Sequence, residues 1–363
     1  MERRWDLLAT YQEALRAKER LVKRWETMPG VVGIGVGLAN GKNLKGGLCV
    51  VLYTVDASAS VRKKCPRCVS ITSKGKINRA NVPVRIITSG RCRSLPAVRP
   101  KQTNGRYRRR IRPVVAGYSA GRAGVSGTAG LIVRGAVRTA QRYLLSNNHV
   151  LNRNNSGGNT VTLQPGGADG GQAANDRIGR LYRFVRLQRN QANYLDAAIS
   201  IPDSNTLLAP RYATVGRIPG YVRSYAVGSR LKKVGRTTGF VQGVVVSVNT
   251  DILIDYGSYG GLGRIPFRNQ TVIRGSQPVS LPGDSGSVWL TGNNFAAAVN
   301  FAGSADGRLS ISFPILWALQ AFGVRPAGVS AAGVRKGSGA ACSRALTKAE
   351  LRLVKARIGR GRR

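Results

Sequence analysis

The sharpest shortage in this chain is of negative charge. Fifteen Asp and Glu stand against 58 Lys and Arg, a formal net charge of +43, and no acid occurs between Asp56 and Asp169. That imbalance excludes an acidic, solvating protein. It creates a field that attracts nucleic acid, anionic membrane or acidic proteins without any specific site. Histidine is scarcer still, because His149 is the only one. Aromatic residues make up 6% of the chain. No apolar run approaches the roughly 18–20 residues that a membrane helix needs. The start, Met1-Glu2-Arg3-Arg4-Trp5, is charged and leads into an amphipathic segment. It does not read as a secretory signal, so a cytoplasmic location is the default expectation.

Five cysteines, Cys49, Cys65, Cys68, Cys92 and Cys342, cannot all pair within one chain. Cys65-Pro66-Arg67-Cys68 has metal-ligand spacing and Cys92 would add a third thiolate, but a closed structural zinc site wants four ligands. No metal is therefore expected; a redox or disulfide pair and plain reduced thiols stay open. The run Gly33-Ile34-Gly35-Val36-Gly37 lacks the G-x-G-x-x-G spacing and a helix opening behind it, so it reads as strand. No cofactor is expected.

Glycine, by contrast, is abundant, at 46 residues, and hydrophobic content of 42% can fill a sizeable core. Residues 3–27 carry Leu8, Tyr11, Leu15, Val22 and Trp25 at three- and four-residue steps, predicting an amphipathic helix whose stripe Lys18 interrupts. Residues 31–37 and 48–53 read as two strands. Residues 57–112 are the most basic section, with one clear strand over 82–87 and an Arg-rich, exposed linker over 91–112. From residue 113 to 326, short apolar runs alternate with Gly, Asn and Pro turns. These predict strands over 130–133, 142–145, 195–201, 228–234, 243–248, 251–254, 287–290, 295–301 and 309–313, then a closing helix over 315–322. The expected class is mainly β, an antiparallel barrel or sandwich. Residues 327–363 read as a Gly/Ala/Ser linker and a flexible basic tail, with Leu346, Leu353 and Ile358 on a frayed, solvated helix. Three units follow: 1–112, 113–326 and 327–363.

The chemistry centres on Leu281-Pro282-Gly283-Asp284-Ser285-Gly286-Ser287. Flanking glycines suit a tight turn with converging N–H groups beside an exposed hydroxyl. Such a serine needs a base, and His149 is the sole imidazole. A carboxylate to orient that base is narrowed by elimination. Asp169 and Asp176 lie in a Gly/Ala/Asn loop and Asp203 follows a proline. Asp196 sits within the apolar run 194–201, where an unpaired carboxylate is costly. A structural acceptor for nearby backbone is its alternative role. Asp284, next to the serine, suits support of the turn.

The stretches Leu145-Ser146-Asn147-Asn148-His149-Val150-Leu151, Leu195-Asp196-Ala197-Ala198-Ile199 and Pro282-Gly283-Asp284-Ser285-Gly286-Ser287 together resemble the chymotrypsin-fold serine peptidases, in that family's His…Asp…Ser order. Closer still, the layout is similar to bacterial trypsin-like peptidases related to the plant narrow-leaf type. It shares the glycine-rich strand near residue 30, Asn147-Asn148-His149-Val150, Gln164-Pro165-Gly166 and Val234-Gly235-Arg236-Thr237-Thr238-Gly239. The resemblance covers roughly residues 28–325; the basic Cys-containing section and the tail depart from it.

It implies a double antiparallel β-barrel and a catalytic set of His149, Asp196 and Ser285. Gly283 and Ser285 would form the oxyanion hole. Val279 and Ser280 would line the base of the specificity pocket, with Asn300, Phe301 and Ala302 on its backbone-binding strand. Nothing there favours Lys or Arg, so cleavage after small or medium apolar residues is expected. In family members that need processing, the acid at the position of Asp284 meets a freed N-terminus; here either an Arg or backbone partner makes processing unnecessary, or cleavage within the linker 91–112 activates the chain. The competing reading is a cationic binding protein on a peptidase scaffold, engaging nucleic acid or acidic partners.

Overall fold

A computed structural model describes residues 8–25, 28–41, 47–72, 79–94, 105–137, 140–329, 333–335 and 341–361. Short Val-, Ile- and Ala-rich runs separated by glycine turns become strands wherever both faces can be covered, and the fold is mainly β. In the larger sheet the strands lie in the order Arg230–Gly235, Val288–Thr291, Ala296–Gly303, Leu309–Pro314, Arg264–Arg274, Gly239–Asp255, Val31–Leu38, Leu48–Thr54, Arg79–Thr88 and Cys68–Thr72. The second sheet runs Val324–Pro326, Leu131–Gly135, Arg142–Ser146, Ala198–Pro202, Arg177–Val185, Val161–Leu163, Ser119–Arg122 and Val125–Thr128. Most neighbours are antiparallel. Parallel pairings join Leu48–Thr54 to Arg79–Thr88 and Leu208–Tyr212 to Val114–Ala116, so the sheets are mixed rather than purely antiparallel as expected.

The N-terminal strand Val31–Leu38 pairs with the long strand Gly239–Asp255, making the first residues one sheet with the rest. The helix Tyr11–Trp25 packs over it through Ala14, Ala17, Leu21 and Trp25. Residues 3–7 of the expected helix lie outside the described residues. Lys18 does not break that face. It is buried on it and reaches the Asp251 carboxylate at 3.0 Å. Burial lowers its pKa and Asp251 partly opposes this.

Four sequence expectations need correction. The runs 243–248 and 251–254 belong to one strand, bent at Asn249, whose φ is +48°. Asp196 lies just before the strand Ala198–Pro202 rather than inside it. Within the proposed linker, Arg93 is paired through its backbone to the ends of two strands of the larger sheet and Ser94 is buried, while the Arg93 side chain stays exposed as expected. In the C-terminal segment, residues 341–361 are docked rather than flexible. Thr347 caps the helix Lys348–Ala356, and Ile358–Arg360 adds a strand to Arg177–Val185.

Candidate active site

The two sheets meet where His149 follows one strand and Ser285 precedes another. The strand Arg142–Ser146 ends at Asn147, and the single helical turn Asn148–Leu151 carries His149 into the interior, fully buried. Asp196 is brought to it by several hydrogen bonds. Asn147 Nδ2 donates to the Asp196 carbonyl (2.6 Å), and the Asn148 N–H donates to Oδ1 (2.7 Å). His149 Nδ1 stands 2.5 Å from Asp196 Oδ2, and neither side chain is exposed. Facing a carboxylate, Nδ1 is the donor, which leaves the lone pair on Nε2.

The second donor to Oδ2 is Tyr256, whose hydroxyl lies 2.7 Å away. Burial, then the Asp196 charge, push its pKa well above the ordinary tyrosine value, so it stays protonated. Its ring and that of Tyr259 meet the imidazole edge-on, with centroids 5.9 and 6.3 Å away. Tyr256 gave no signal in the sequence, being one of 12 tyrosines.

Around Ser285 the backbone is bent into conformations that only glycine adopts freely. Gly283 has φ +98° and Gly286 φ +91°. A methyl group on Gly286 would also strike Ser146 Oγ at 2.1 Å. Three residues hold the turn. Asp284 accepts from the N–H groups of Thr237 (3.0 Å), Thr238 (3.0 Å) and Leu281 (2.9 Å). The Thr128 hydroxyl donates to the Gly283 carbonyl (3.0 Å) and its N–H to that of Ser285 (2.8 Å). Asn300 Nδ2 donates to the Asp284 carbonyl (3.2 Å). Among the described residues, the N–H groups of Gly283 and Ser285 donate to no protein acceptor, and the Ser285 hydroxyl makes no hydrogen bond to His149.

Asp284 also faces the fully buried Lys233, whose Nζ is 3.9 Å from Oδ2, 3.2 Å from Thr238 Oγ1 and 5.5 Å from the Trp289 ring. Burial lowers the Lys233 pKa while Asp284 opposes that shift. The acid beside the serine is thus satisfied by internal backbone donors and an internal lysine. Asp169, read from sequence as a loop residue, takes a charge-assisted pair from Arg236, with Nε 2.8 Å from Oδ2.

Ser285 and Arg93 line a cavity of about 180 Å³ together with Ser280, Leu281, Pro282, Ala302 and Gly303. Of the residues that the resemblance assigns to a specificity pocket, Ser280 and Ala302 line this cavity. Val279, Asn300 and Phe301 are buried and do not line it. Asn300 instead braces the wall from behind, its Oδ1 accepting from Ser280 Oγ (3.0 Å) and Ser310 Oγ (2.6 Å). Among the described residues no group of three or more His, Cys, Asp or Glu could hold a metal. Cys65 and Cys92 fall in different hydrophobic clusters, so the proposed third thiolate is not brought to the pair.

No family model matches this chain, and neither does any curated protein. Solved structures do. Thermobifida fusca protease A is 20% identical, over 58% of this chain and 97% of that one, with a TM-score of 0.42. A chymotrypsin from Cellulomonas bogoriensis is 22% identical over 59% and 97%, at 0.41. A Nocardiopsis protease is 20% identical over 58% and 97%, also at 0.41.

Proposed function

We propose that this chain is a serine endopeptidase working through an acyl-enzyme. The observation that carries the reading is the buried His149–Asp196 pair, beside a glycine turn that presents Ser285 and two uncommitted N–H donors. Ser285 Oγ attacks the scissile carbonyl, and His149 Nε2 takes its proton and returns it to the leaving amine. Asp196 holds the tautomer and stabilises the imidazolium, with Tyr256 donating to the same carboxylate oxygen. The Gly283 and Ser285 N–H groups receive the oxyanion, and water then releases the acid. The layout is that of the bacterial narrow-leaf-type peptidases. The small cavity has no acidic wall residue, which supports cleavage after small or medium apolar residues.

A fluorophosphonate probe tests this. Labelling should map to Ser285 and be lost in Ser285→Ala, and His149→Ala should reduce turnover by roughly 10⁴-fold or more. Undiminished labelling of Ser285→Ala overturns the assignment. A peptide library cleaved chiefly after Lys or Arg overturns the specificity.

A further inference from the structure

The cleft is not empty of chain. Residues 92–94 run between the ends of two strands of the larger sheet. Arg93 exchanges both backbone hydrogen bonds with Gly303, N–H to carbonyl at 2.9 Å and back at 3.0 Å, in an antiparallel bridge. On the other side, the Ser94 N–H donates to the Asp255 carbonyl and the Asp255 N–H to that of Cys92, each at 3.0 Å. The Ser94 hydroxyl donates to the Phe301 carbonyl (2.8 Å), and its oxygen lies 3.2 Å from His149 Nδ1 and 3.4 Å from Nε2. Arg93 lines the same cavity as Ser285.

Three features make this arrangement resemble a bound ligand more than a linker. The segment pairs through its backbone, with the Ser94 hydroxyl adding one bond to the Phe301 carbonyl, along the strand end that borders the cavity, the mode by which an extended peptide adds to an exposed strand. Its direction is that of an acyl donor. Arg93 sits on the outer Gly303 and the next residue, Ser94, on the imidazole, so the chain enters N- to C-terminally, as a peptide attacked at a more C-terminal carbonyl must. Finally, the hydroxyl held against the imidazole is that of Ser94, while Ser285 makes no hydrogen bond to it.

We propose that residues 92–94 are a built-in, substrate-like occupant of the peptide-binding edge at Phe301–Gly303, and that they compete with extended peptide substrates for it. This rests on the peptidase reading. The ligand class of that edge is then an extended peptide paired through its backbone, and the chain itself supplies the first one. Because both polar groups of Gly303 are taken, an extended substrate gains its pairing there only when the segment yields.

The experiment compares two substrates on the full chain. One is succinyl-tetra-alanine p-nitroanilide, long enough to pair along the edge; the other is N-acetyl-alanine p-nitrophenyl ester, too short to do so. Arg93→Pro removes the N–H that bonds Gly303, and should raise the peptide-to-ester ratio of kcat/KM by about tenfold or more. Ser94→Gly, a milder change should the first not fold, should raise it by about threefold. A ratio that stays constant or falls in both variants, with fluorophosphonate labelling retained, overturns this proposal alone. Absence of labelling in the parent chain overturns the peptidase reading, and this proposal with it.

Discussion

Asp196 is the residue on which most of the site's polar groups converge. Its carboxylate accepts from His149, Tyr256 and the Asn148 N–H, so its charge is buried yet satisfied. Asp196→Asn should keep the fold but present the wrong partner to Nδ1, lowering kcat by about 10⁴-fold with KM for the short ester little changed. Tyr256→Phe removes one donor from a buried carboxylate. It should cost about 2 kcal/mol of stability, read from the denaturant midpoint, and a tenfold or smaller loss of kcat. An unchanged midpoint would assign the hydroxyl no structural weight. Lys233→Met leaves Asp284 its three backbone donors but no cation. It should destabilise by about 3 kcal/mol and slow fluorophosphonate labelling, because the turn it braces carries the N–H groups proposed to receive the oxyanion.

At the scale of elements, the C-terminal helix Lys348–Ala356 shows how a segment that reads as a basic, solvated helix becomes part of the fold. Trp317 donates its indole N–H to the Arg344 carbonyl (2.9 Å), and Arg344 pairs with Glu350 (2.6 Å). Burial alone would raise the Glu350 carboxyl, but Arg344 and the Thr347 donors hold it below its ordinary value of 4.5. The folded carboxyl is therefore more acidic than the unfolded one, and on acidification the undocked segment binds the proton first. Its contribution to docking is complete above that ordinary value and lost as pH falls through the folded one. Protection factors over residues 344–360, which correct amide exchange for its intrinsic pH dependence, should fall in acid, whereas in Glu350→Gln they should be low already at neutral pH. Equal protection in both proteins at neutral pH would sink the idea. The strands that sequence missed share a cause with this tail. Arg177–Val185 carries three arginines that obscure its apolar alternation, and Arg264–Arg274 is interrupted by Pro266 and by Asn269 at φ +60°. Neighbouring strands supply the pairing that overrides those local signals.

For the whole molecule, the excess of 43 positive charges opposes compaction through self-repulsion. Among the described residues, the buried Lys or Arg pairs Lys18–Asp251, Lys233–Asp284 and Arg236–Asp169 are shielded from solvent and respond little to salt. Raising salt from about 0.02 to 0.5 M should thus screen repulsion more than attraction and raise Tm by a few degrees. A fall in Tm would mean that exposed ion pairs dominate instead.

Local chemistry in the sequence was enough to locate the glycine turn at Ser285, the lone imidazole, the closing helix Ile315–Phe322 and most of the apolar strands. Each depends on backbone preference or periodicity within a few residues. Asp196 could be singled out from Asp169, Asp176, Asp203 and Asp284 because a carboxylate in an apolar run demands a partner, even though Asp196 lies before its strand rather than in it. Tertiary structure alone decided the rest. Tyr256 reaches Asp196 across 60 positions, Lys233 stands behind Asp284, and Ser94 rests on His149 from a stretch that reads as an Arg-rich linker. Those contacts depend on which strands become neighbours. That is set by closing long loops around a shared core, and no short window of sequence carries it.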